Sequence, residues 1–312
     1  MGDKMLNKTC KDEDFNKVFK ELKHEQSLEL PNNNKLEMYY TKIMNNKFEY
    51  TALIDLLSSN ITNYVFSRKE NLDAREKDNI QTLTIKAIKE FRKIKNDSDS
   101  GSGGELGEFL LYTFLESRLY AFKLLSKMEL KTNSSDYIKG ADGIYLYEYE
   151  DEKKQKHFEY IIGEAKIEGT SSEAIKDAID SILIHLQNEN FEKELVNREI
   201  FKETFSEDEV EKIRNILVPR QDDDDMDIQK AFGIFIGYGI EKNLNLDGVS
   251  NTDGKVLIEE RMKKDIENIC KNMKKKIVEK KLTNYSFYVY VMPFKNAKEE
   301  RKEILKNMAI GD

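Results

Sequence analysis

The sequence has little of what marks a protein for export or for a membrane. Its 312 residues include two cysteines, Cys10 and Cys270, which lie far apart, so we expect neither a disulfide framework nor a zinc site built on clustered Cys and His. No stretch approaches the roughly 20 apolar residues that span a bilayer. The chain also begins without the apolar segment of a secretory signal. These features predict a cytoplasmic protein with no membrane association.

Two catalytic motifs and an excess of positive charge are also missing. There is no Gly-Lys-Ser/Thr phosphate loop and no nucleophile elbow, so the sequence offers no sign of a P-loop nucleotidase or an α/β-hydrolase. The formal net charge is −8. Because phosphate contacts dominate affinity for nucleic acid, this charge argues against a protein that grips DNA tightly by itself. Positive charge would have to be concentrated locally or supplied by a partner.

The composition that remains is that of a globular protein, with 39% hydrophobic and 35% charged residues. Apolar residues at helical spacing predict a helical N-terminal region over residues 1–95, and the Ser/Gly-rich stretch 96–104 marks a boundary. Residues 104–312 read as an α/β core with a helical insertion near 191–230. The elements expected there are a helix from Glu105 to about Ser126, strands at 137–149 and 158–167 joined by a charged turn at 150–154, a helix N-capped by Ser171 or Ser172, a strand at 232–240, a basic helix at about 257–281, a strand at 285–293 and a short terminal helix.

Charged residues interrupt the two apolar strands of the predicted hairpin. Asp142 lies in Gly-Ala-Asp-Gly-Ile at residues 140–144, and Glu164 and Lys166 lie in Gly-Glu-Ala-Lys at 163–166. Side chains alternate along a strand, so Glu164 and Lys166 share one face. A buried carboxylate is unfavourable unless it is paired or bound to a cation. Each motif alone also has a purely structural interpretation. Asp142 before a glycine is typical of a turn or bulge, and Glu-x-Lys on a strand is typical of a pair that faces solvent.

A third acidic motif lies on the helix before the hairpin, where Glu105 and Glu108 are three residues apart and therefore on one face. First-turn acids that favour the helix dipole are the competing interpretation. Phosphodiester hydrolysis requires a hard cation held by carboxylates, together with an activated water that a lysine can orient. The conjunction of helix acid, strand acid and Glu-x-Lys therefore favours a metal-dependent hydrolase, with Mg²⁺ or Mn²⁺ as cofactor.

At these residues the chain resembles the PD-(D/E)xK nuclease superfamily. The resemblance implies an αβββαβ core in which Asp142 and Glu164 bind the metal and Lys166 assists the water. It also implies a metal ligand on the preceding helix, which is either Glu108 or Glu105. More narrowly, the motifs at 104–108, 140–144 and 163–166 resemble the HamA family, which supplies the nuclease subunit of the Hachiman anti-phage defence system. That resemblance implies DNA as the substrate and a helicase as the partner. The proline of the superfamily motif is replaced by Ala141.

Two further features are weaker. His185 and Gln187 follow the Glu-x-Lys strand on the next helix, where the superfamily resemblance implies that a polar site residue can lie, but surface polarity is the simpler explanation. The basic helix carries Lys271, Lys274, Lys275 and Lys276, which form either a solvated face or a phosphate-contacting surface. Its apolar stripe consists of Ile266, Ile269, Met273 and Ile277.

Two functions from different classes thus stand side by side. The first is a metal-dependent endodeoxyribonuclease, and the second is a catalytically silent, nuclease-like adaptor or inhibitory subunit. The retained acid–acid–lysine set favours the nuclease, because a scaffold has no need for three charges inside apolar strands.

Overall fold

The computed structural model describes residues 8–97, 104–128, 141–187, 204–218, 228–240 and 244–308. Its strands are β1 (Lys20–Leu22), β2 (Asn34–Tyr40), β3 (Ile43–Met44), β4 (Lys47–Phe48), β5 (Phe122–Ser126), β6 (Gly143–Glu150), β7 (Lys156–Glu168), β8 (Ile228–Gly239) and β9 (Ser286–Phe294). Its helices are α1 (Asp12–Val18), α2 (Thr51–Ser59), α3 (Ile61–Val65), α4 (Arg68–Glu76), α5 (Ile80–Asp97), α6 (Gly104–Phe114), α7 (Ser171–His185), α8 (Glu207–Leu217), α9 (Asn251–Glu279) and α10 (Ala297–Met308). None of the helices in these ranges is both long and apolar enough to cross a membrane.

A seven-stranded mixed sheet organises the molecule, in the order β1-β2-β9-β8-β7-β6-β5. Strands β2, β9, β8 and β7 run parallel to one another, whereas β6, β5 and β1 are antiparallel to their neighbours. The fold is therefore α/β, as the sequence predicts. From α6 onward the elements follow the order α6, β5, β6, β7, α7 and then, after α8, β8.

The predicted hairpin is confirmed over the described residues, whereas residues 137–140 of its first predicted strand lie outside them. β6 pairs antiparallel along its full length with Lys156–Gly163 of β7, with Gly143 opposite Gly163, and Asp151 and Gln155 close the turn between them. Alternation along β7 places Ala165 against α6, where a Cβ on Gly107 would meet the Ala165 side chain at 3.3 Å. Glu164 and Lys166 consequently project from the opposite face, which α7 covers.

Helix α6 is buried on all sides. Every residue from Glu105 to Phe114 is buried, because the helix lies between the sheet and the N-terminal helices. The ring of Phe109 stacks on Tyr64 of α3 with centroids 4.3 Å apart. A helix that is apolar around its whole circumference belongs in a core, and this one carries Glu105 and Glu108 into the core with it.

Two predictions about secondary structure are wrong. The N-terminal region is not uniformly helical, because β1 and β2 join the main sheet and β2 pairs parallel with β9. Alternation at Leu36, Met38 and Tyr40 is the period-2 signal that the helical interpretation overlooked. The helix expected from Glu105 to Ser126 also ends early.

That early end has a local cause. A π-helical turn at Leu115–Leu119 follows α6, and Tyr120 then adopts φ +63°, a left-handed conformation that stops a helix. The chain reverses there into β5, whose five residues are all buried. Periodicity cannot distinguish a short strand that is buried on both faces from a helix segment.

The remaining elements match their predictions closely. β8, β9 and α10 appear where strands and a terminal helix were expected. The predicted N-cap of α7 is wrong by one residue, because Thr170, whose side chain accepts from the Glu173 N–H, caps a helix that begins at Ser171. α9 buries the apolar stripe of Ile266, Ile269, Met273 and Ile277 that its sequence predicts. Within the predicted insertion near 191–230, the described helix is α8; residues 188–203 and 219–227 lie outside the described ranges.

Candidate metal and catalytic site

Asp142 is fixed to β7 immediately before β6 begins. Its backbone N–H donates to the Gly163 carbonyl at 3.0 Å, and the Ala165 N–H donates to Asp142 Oδ2 at 2.8 Å. The carboxyl group is 4% exposed. Asp142 therefore lies at the start of β6, and its carboxylate is held beside Glu164 by the next residue of β7, Ala165.

Glu164 and Lys166 form the second part of the site. Lys166 Nζ donates to Glu164 Oε1 at 2.5 Å. Glu164 is 1% exposed, whereas a quarter of the Lys166 side chain reaches solvent. The two residues share a face, as strand alternation predicts. They are not the solvent-facing pair of the purely structural interpretation, since the Glu164 carboxylate is fully buried.

Glu108 joins these residues from α6 through a lysine that sequence reasoning missed. Lys127 Nζ donates to Glu108 Oε1 at 2.7 Å and to Asp142 Oδ1 at 2.8 Å. The hydroxyl of Tyr64 donates to Glu108 Oε2 at 3.3 Å. Lys127 follows β5 directly, so its position depends on the strand that the sequence did not reveal, and no pattern around it signalled a site.

The structure thus separates the two helix acids. Glu105 is 5% exposed and lies one turn from Glu108, but the carboxylate that shares Lys127 with Asp142 is that of Glu108. Glu105 does lie in the first turn of α6, as the competing interpretation has it, whereas Glu108 lies one turn further on; both acids are buried.

His185 of α7 approaches the same cluster. Its Nε2 lies 3.6 Å from Glu164 Oε2, and neither atom has a hydrogen-bond partner among the described residues. His185 is 5% exposed, so its assignment to helix surface polarity is wrong, while Gln187 is exposed as expected. The helix ends at His185, and its last turn is pressed against β7, which sequence spacing alone does not show.

The electrostatics of the cluster follow from burial. The pKa of Asp142 is raised to about 7, first because burial disfavours the charged form and then because Glu108 and Glu164 are close; Lys127 opposes the shift. The pKa values of Lys127 and Lys166 are raised by the neighbouring carboxylates, although burial acts against this. Both ammonium groups therefore remain charged at neutral pH.

The donor set suits a hard divalent cation in kind. Glu108, Asp142 and Glu164 offer carboxylate oxygens, the ligands that Mg²⁺ and Mn²⁺ prefer, and Glu164 Oε2 is a buried oxygen with no hydrogen-bond donor in the described ranges. As arranged, however, no group of three or more His, Cys, Asp or Glu in the described part of the chain is positioned to hold a metal ion. The ammonium of Lys127 lies between two of the three carboxylates.

The four lysines singled out on α9 lie away from this cluster, and each has an acidic neighbour. Lys271 contacts Glu267, Lys274 contacts Glu29, and Lys275 and Lys276 both approach Glu279, at distances from 2.5 to 3.8 Å. Part of their charge is therefore compensated within the protein. Their role in binding nucleic acid stays a prediction.

A cavity of about 530 Å³ opens at the other end of the parallel strands, and it does not include the cluster. It lies at the start of β8 and before β9, lined among others by Gln229, Lys230 and Tyr285. The carboxylate cluster is the better functional candidate, because burying several like charges together is unfavourable unless a function requires it.

The fold and the site together define an α/β protein with a buried carboxylate–lysine cluster at the end of its sheet. By sequence comparison the chain belongs to the HamA family, whose model matches residues 16–308. HamA is the Hachiman defence protein, and family membership therefore indicates a role in Hachiman anti-phage defence. No curated protein matches the chain.

Proposed function

We propose that this chain is a metal-dependent nuclease of the PD-(D/E)xK type that hydrolyses DNA phosphodiester bonds in anti-phage defence. The observation that carries the proposal is the convergence of Glu108, Asp142, Glu164 and Lys166 in one buried cluster. The αβββαβ order from α6 to β8 supports the superfamily assignment.

Each residue of the cluster has its own role in the proposed reaction. Glu108, Asp142 and Glu164 would hold Mg²⁺ or Mn²⁺, which when bound neutralises charge that develops on the phosphate. Lys166 Nζ, a quarter exposed beside Glu164, is placed to hold the attacking water by a hydrogen bond and to offset negative charge. The Ala165 N–H fixes Oδ2 of Asp142, while Oδ1 accepts from Lys127, which also binds Glu108.

The test is cleavage of linear, circular and single-stranded DNA by the purified chain, with Mg²⁺, with Mn²⁺ and with chelator. We expect cleavage that depends on the metal and disappears in Lys166→Ala, whose folding is checked by circular dichroism. Lys156→Ala is the matched control, since Lys156 pairs with Glu148 at 2.7 Å in the same hairpin, away from the cluster. Full activity of Lys166→Ala would contradict the assignment.

We also propose that the chain works with a helicase partner. The net charge of −8 disfavours unaided capture of a polyanion, and the lysines of α9 are partly compensated by acidic neighbours. A partner that binds and separates DNA would supply the missing affinity. Co-purification with the products of neighbouring genes, followed by cleavage assays of each component and of the mixture, tests this. Vigorous cleavage by the chain alone at physiological salt, with no partner recovered, would contradict it.

A second candidate function is a catalytically silent adaptor. One observation favours it: Lys127 already compensates Glu108 and Asp142, as a purely structural ion-pair network would. An adaptor predicts that Glu164→Gln and Lys166→Ala leave phage defence intact in cells, whereas the nuclease predicts its loss.

A further inference from the structure

The ammonium of Lys127 occupies the space that a metal ion would need. It lies 2.7 Å from Glu108 Oε1 and 2.8 Å from Asp142 Oδ1. A Mg²⁺ bound to these two oxygens would lie about 2.1 Å from each of them. On the side of the two oxygens where the ammonium lies, the two cations cannot bind together, since they would be far closer than like charges or atomic radii allow.

Charge balance leads to the same conclusion. Three carboxylates, those of Glu108, Asp142 and Glu164, face the two ammonium groups of Lys127 and Lys166. Adding a divalent ion while both lysines stay would give the buried cluster a net positive charge. If Lys127 leaves, the divalent ion and Lys166 together balance the three carboxylates, which is the favourable arrangement in a site of low dielectric constant.

The side chain of Lys127 can reach solvent, whereas those of Glu108 and Asp142 cannot. Its side chain is 26% exposed, but those of Glu108 and Asp142 are only 4% and 5% exposed. A lysine carries its charge on a flexible four-carbon stem, so rotation of the side chain returns the ammonium to water without any change in the backbone.

We propose that Lys127 is an exchangeable internal cation that holds the Glu108–Asp142 pair until a divalent metal displaces it. The inference rests on the proposed metal site and adds a control to it. Metal affinity is set by competition with a tethered ammonium, so the site is closed at low metal concentration. Any partner contact that draws Lys127 away would raise affinity for the metal.

The first test is calorimetric titration of the full-length, chelator-treated chain with Mn²⁺. Lys127→Met removes the ammonium and keeps most of the volume. We expect it to bind Mn²⁺ about ten- to a hundredfold more tightly than the wild type, the range expected when a charged hydrogen bond no longer has to be broken. Lys156→Met removes an ion pair of the same length, Lys156 to Glu148, and should bind like the wild type. Equal or weaker binding by Lys127→Met overturns the proposal.

The second test needs no variant and so does not depend on folding of Lys127→Met. Wild-type chain is treated briefly with an amine-acylating reagent with and without Mn²⁺, and the labelled lysines are quantified by mass spectrometry. Displacement predicts that labelling of Lys127 rises several-fold with Mn²⁺ while labelling of Lys156 does not change. Unchanged or reduced labelling of Lys127 overturns the proposal.

These tests are separable from the proposed nuclease function. Tighter Mn²⁺ binding by Lys127→Met in a chain that cleaves no DNA supports the exchange and contradicts the nuclease. Metal-dependent cleavage by the wild type, with no gain in affinity for Lys127→Met, supports the nuclease and overturns the exchange.

Discussion

Strand β7 carries two fully buried glutamates, five residues apart, whose surroundings are opposite. Glu159, at 0% exposure, receives hydrogen bonds from Asn33, Ser286 and Tyr288 at 2.5 to 3.3 Å. Glu164, at 1% exposure, has Lys166 on one oxygen and no donor within the described ranges for the other.

The difference shows what burial of a carboxylate means in each place. The donors of Glu159 satisfy both of its oxygens and tie β7 to β9 and to the segment before β2, which is a structural role. Glu164 lies close to Asp142, a second buried acid. Two buried carboxylates of like charge repel each other, so their proximity is unfavourable. An unsatisfied oxygen in a cluster of like charges lowers stability, which makes the surroundings of Glu164 the candidate for a functional role.

We expect the largest difference between the two glutamates in a substitution of Glu164. Glu164→Gln keeps the shape but removes a charge that the proposed metal requires, so we expect cleavage to fall at least about a hundredfold with the fold intact. Cleavage rates and thermal melting of the purified variant measure this. Glu159→Gln is the matched control, with cleavage per folded molecule retained; a comparable loss of cleavage in both variants would argue against the distinction.

The converse change is Glu159→Ala, which acts on stability. It leaves the donors of Ser286 and Tyr288 buried without an acceptor, and we expect the free energy of unfolding to fall by about 3 kcal/mol. Urea denaturation measures the change. Glu152→Ala in the exposed β6–β7 turn should alter stability by less than about 0.5 kcal/mol. A loss no larger than that of Glu152→Ala would mean that the hydrogen bonds of Glu159 contribute little.

The raised pKa of Asp142 predicts a pH-dependent effect of intermediate size. Its folded-state pKa of about 7 lies above the usual aspartate pKa of 3.8, so folding takes up a proton between these pH values. The stability contributed by the protonated carboxyl is complete below the unfolded pKa and is lost as pH rises through about 7. Without metal, Asp142→Asn should therefore be more stable than the wild type above pH 7, by roughly 1–3 kcal/mol, and the gap should close toward pH 4.

The measurement is denaturant unfolding of both proteins in chelator across this pH range. A stability difference that stays constant with pH would show that the carboxyl of Asp142 titrates normally.

The smallest effect is expected on α9. Reversing Lys274, Lys275 and Lys276 to Glu should weaken DNA binding at low salt and flatten the dependence of affinity on salt, because fewer counterions are released. Since these lysines already lie beside Glu29 and Glu279, we expect a modest loss. Fluorescence anisotropy across a salt series measures it. If the affinity is unchanged at every salt concentration, these lysines do not contact phosphates and α9 has only a solvated face.

The sequence by itself determined the elements whose signals are local. Alternation in the β6–β7 hairpin placed Glu164 and Lys166 on one face, and the stripe on α9 identified its buried side. Asp142, Glu164, Lys166 and the helix acids were recognisable because charge inside apolar segments is unusual whatever the fold. These features depend on neighbours within a few residues, and spacing along the chain records them.

Tertiary structure decided the rest, because the interactions involved join distant residues. β2 pairs with β9 across some 250 residues, and no periodicity encodes such a partner. Only the packing of α6 shows that Glu108 rather than Glu105 shares Lys127 with Asp142. The same holds for His185, which α7 presses against Glu164, and for Lys127 itself: an ordinary lysine in the sequence becomes the internal cation of the site because β5 ends beside two buried carboxylates.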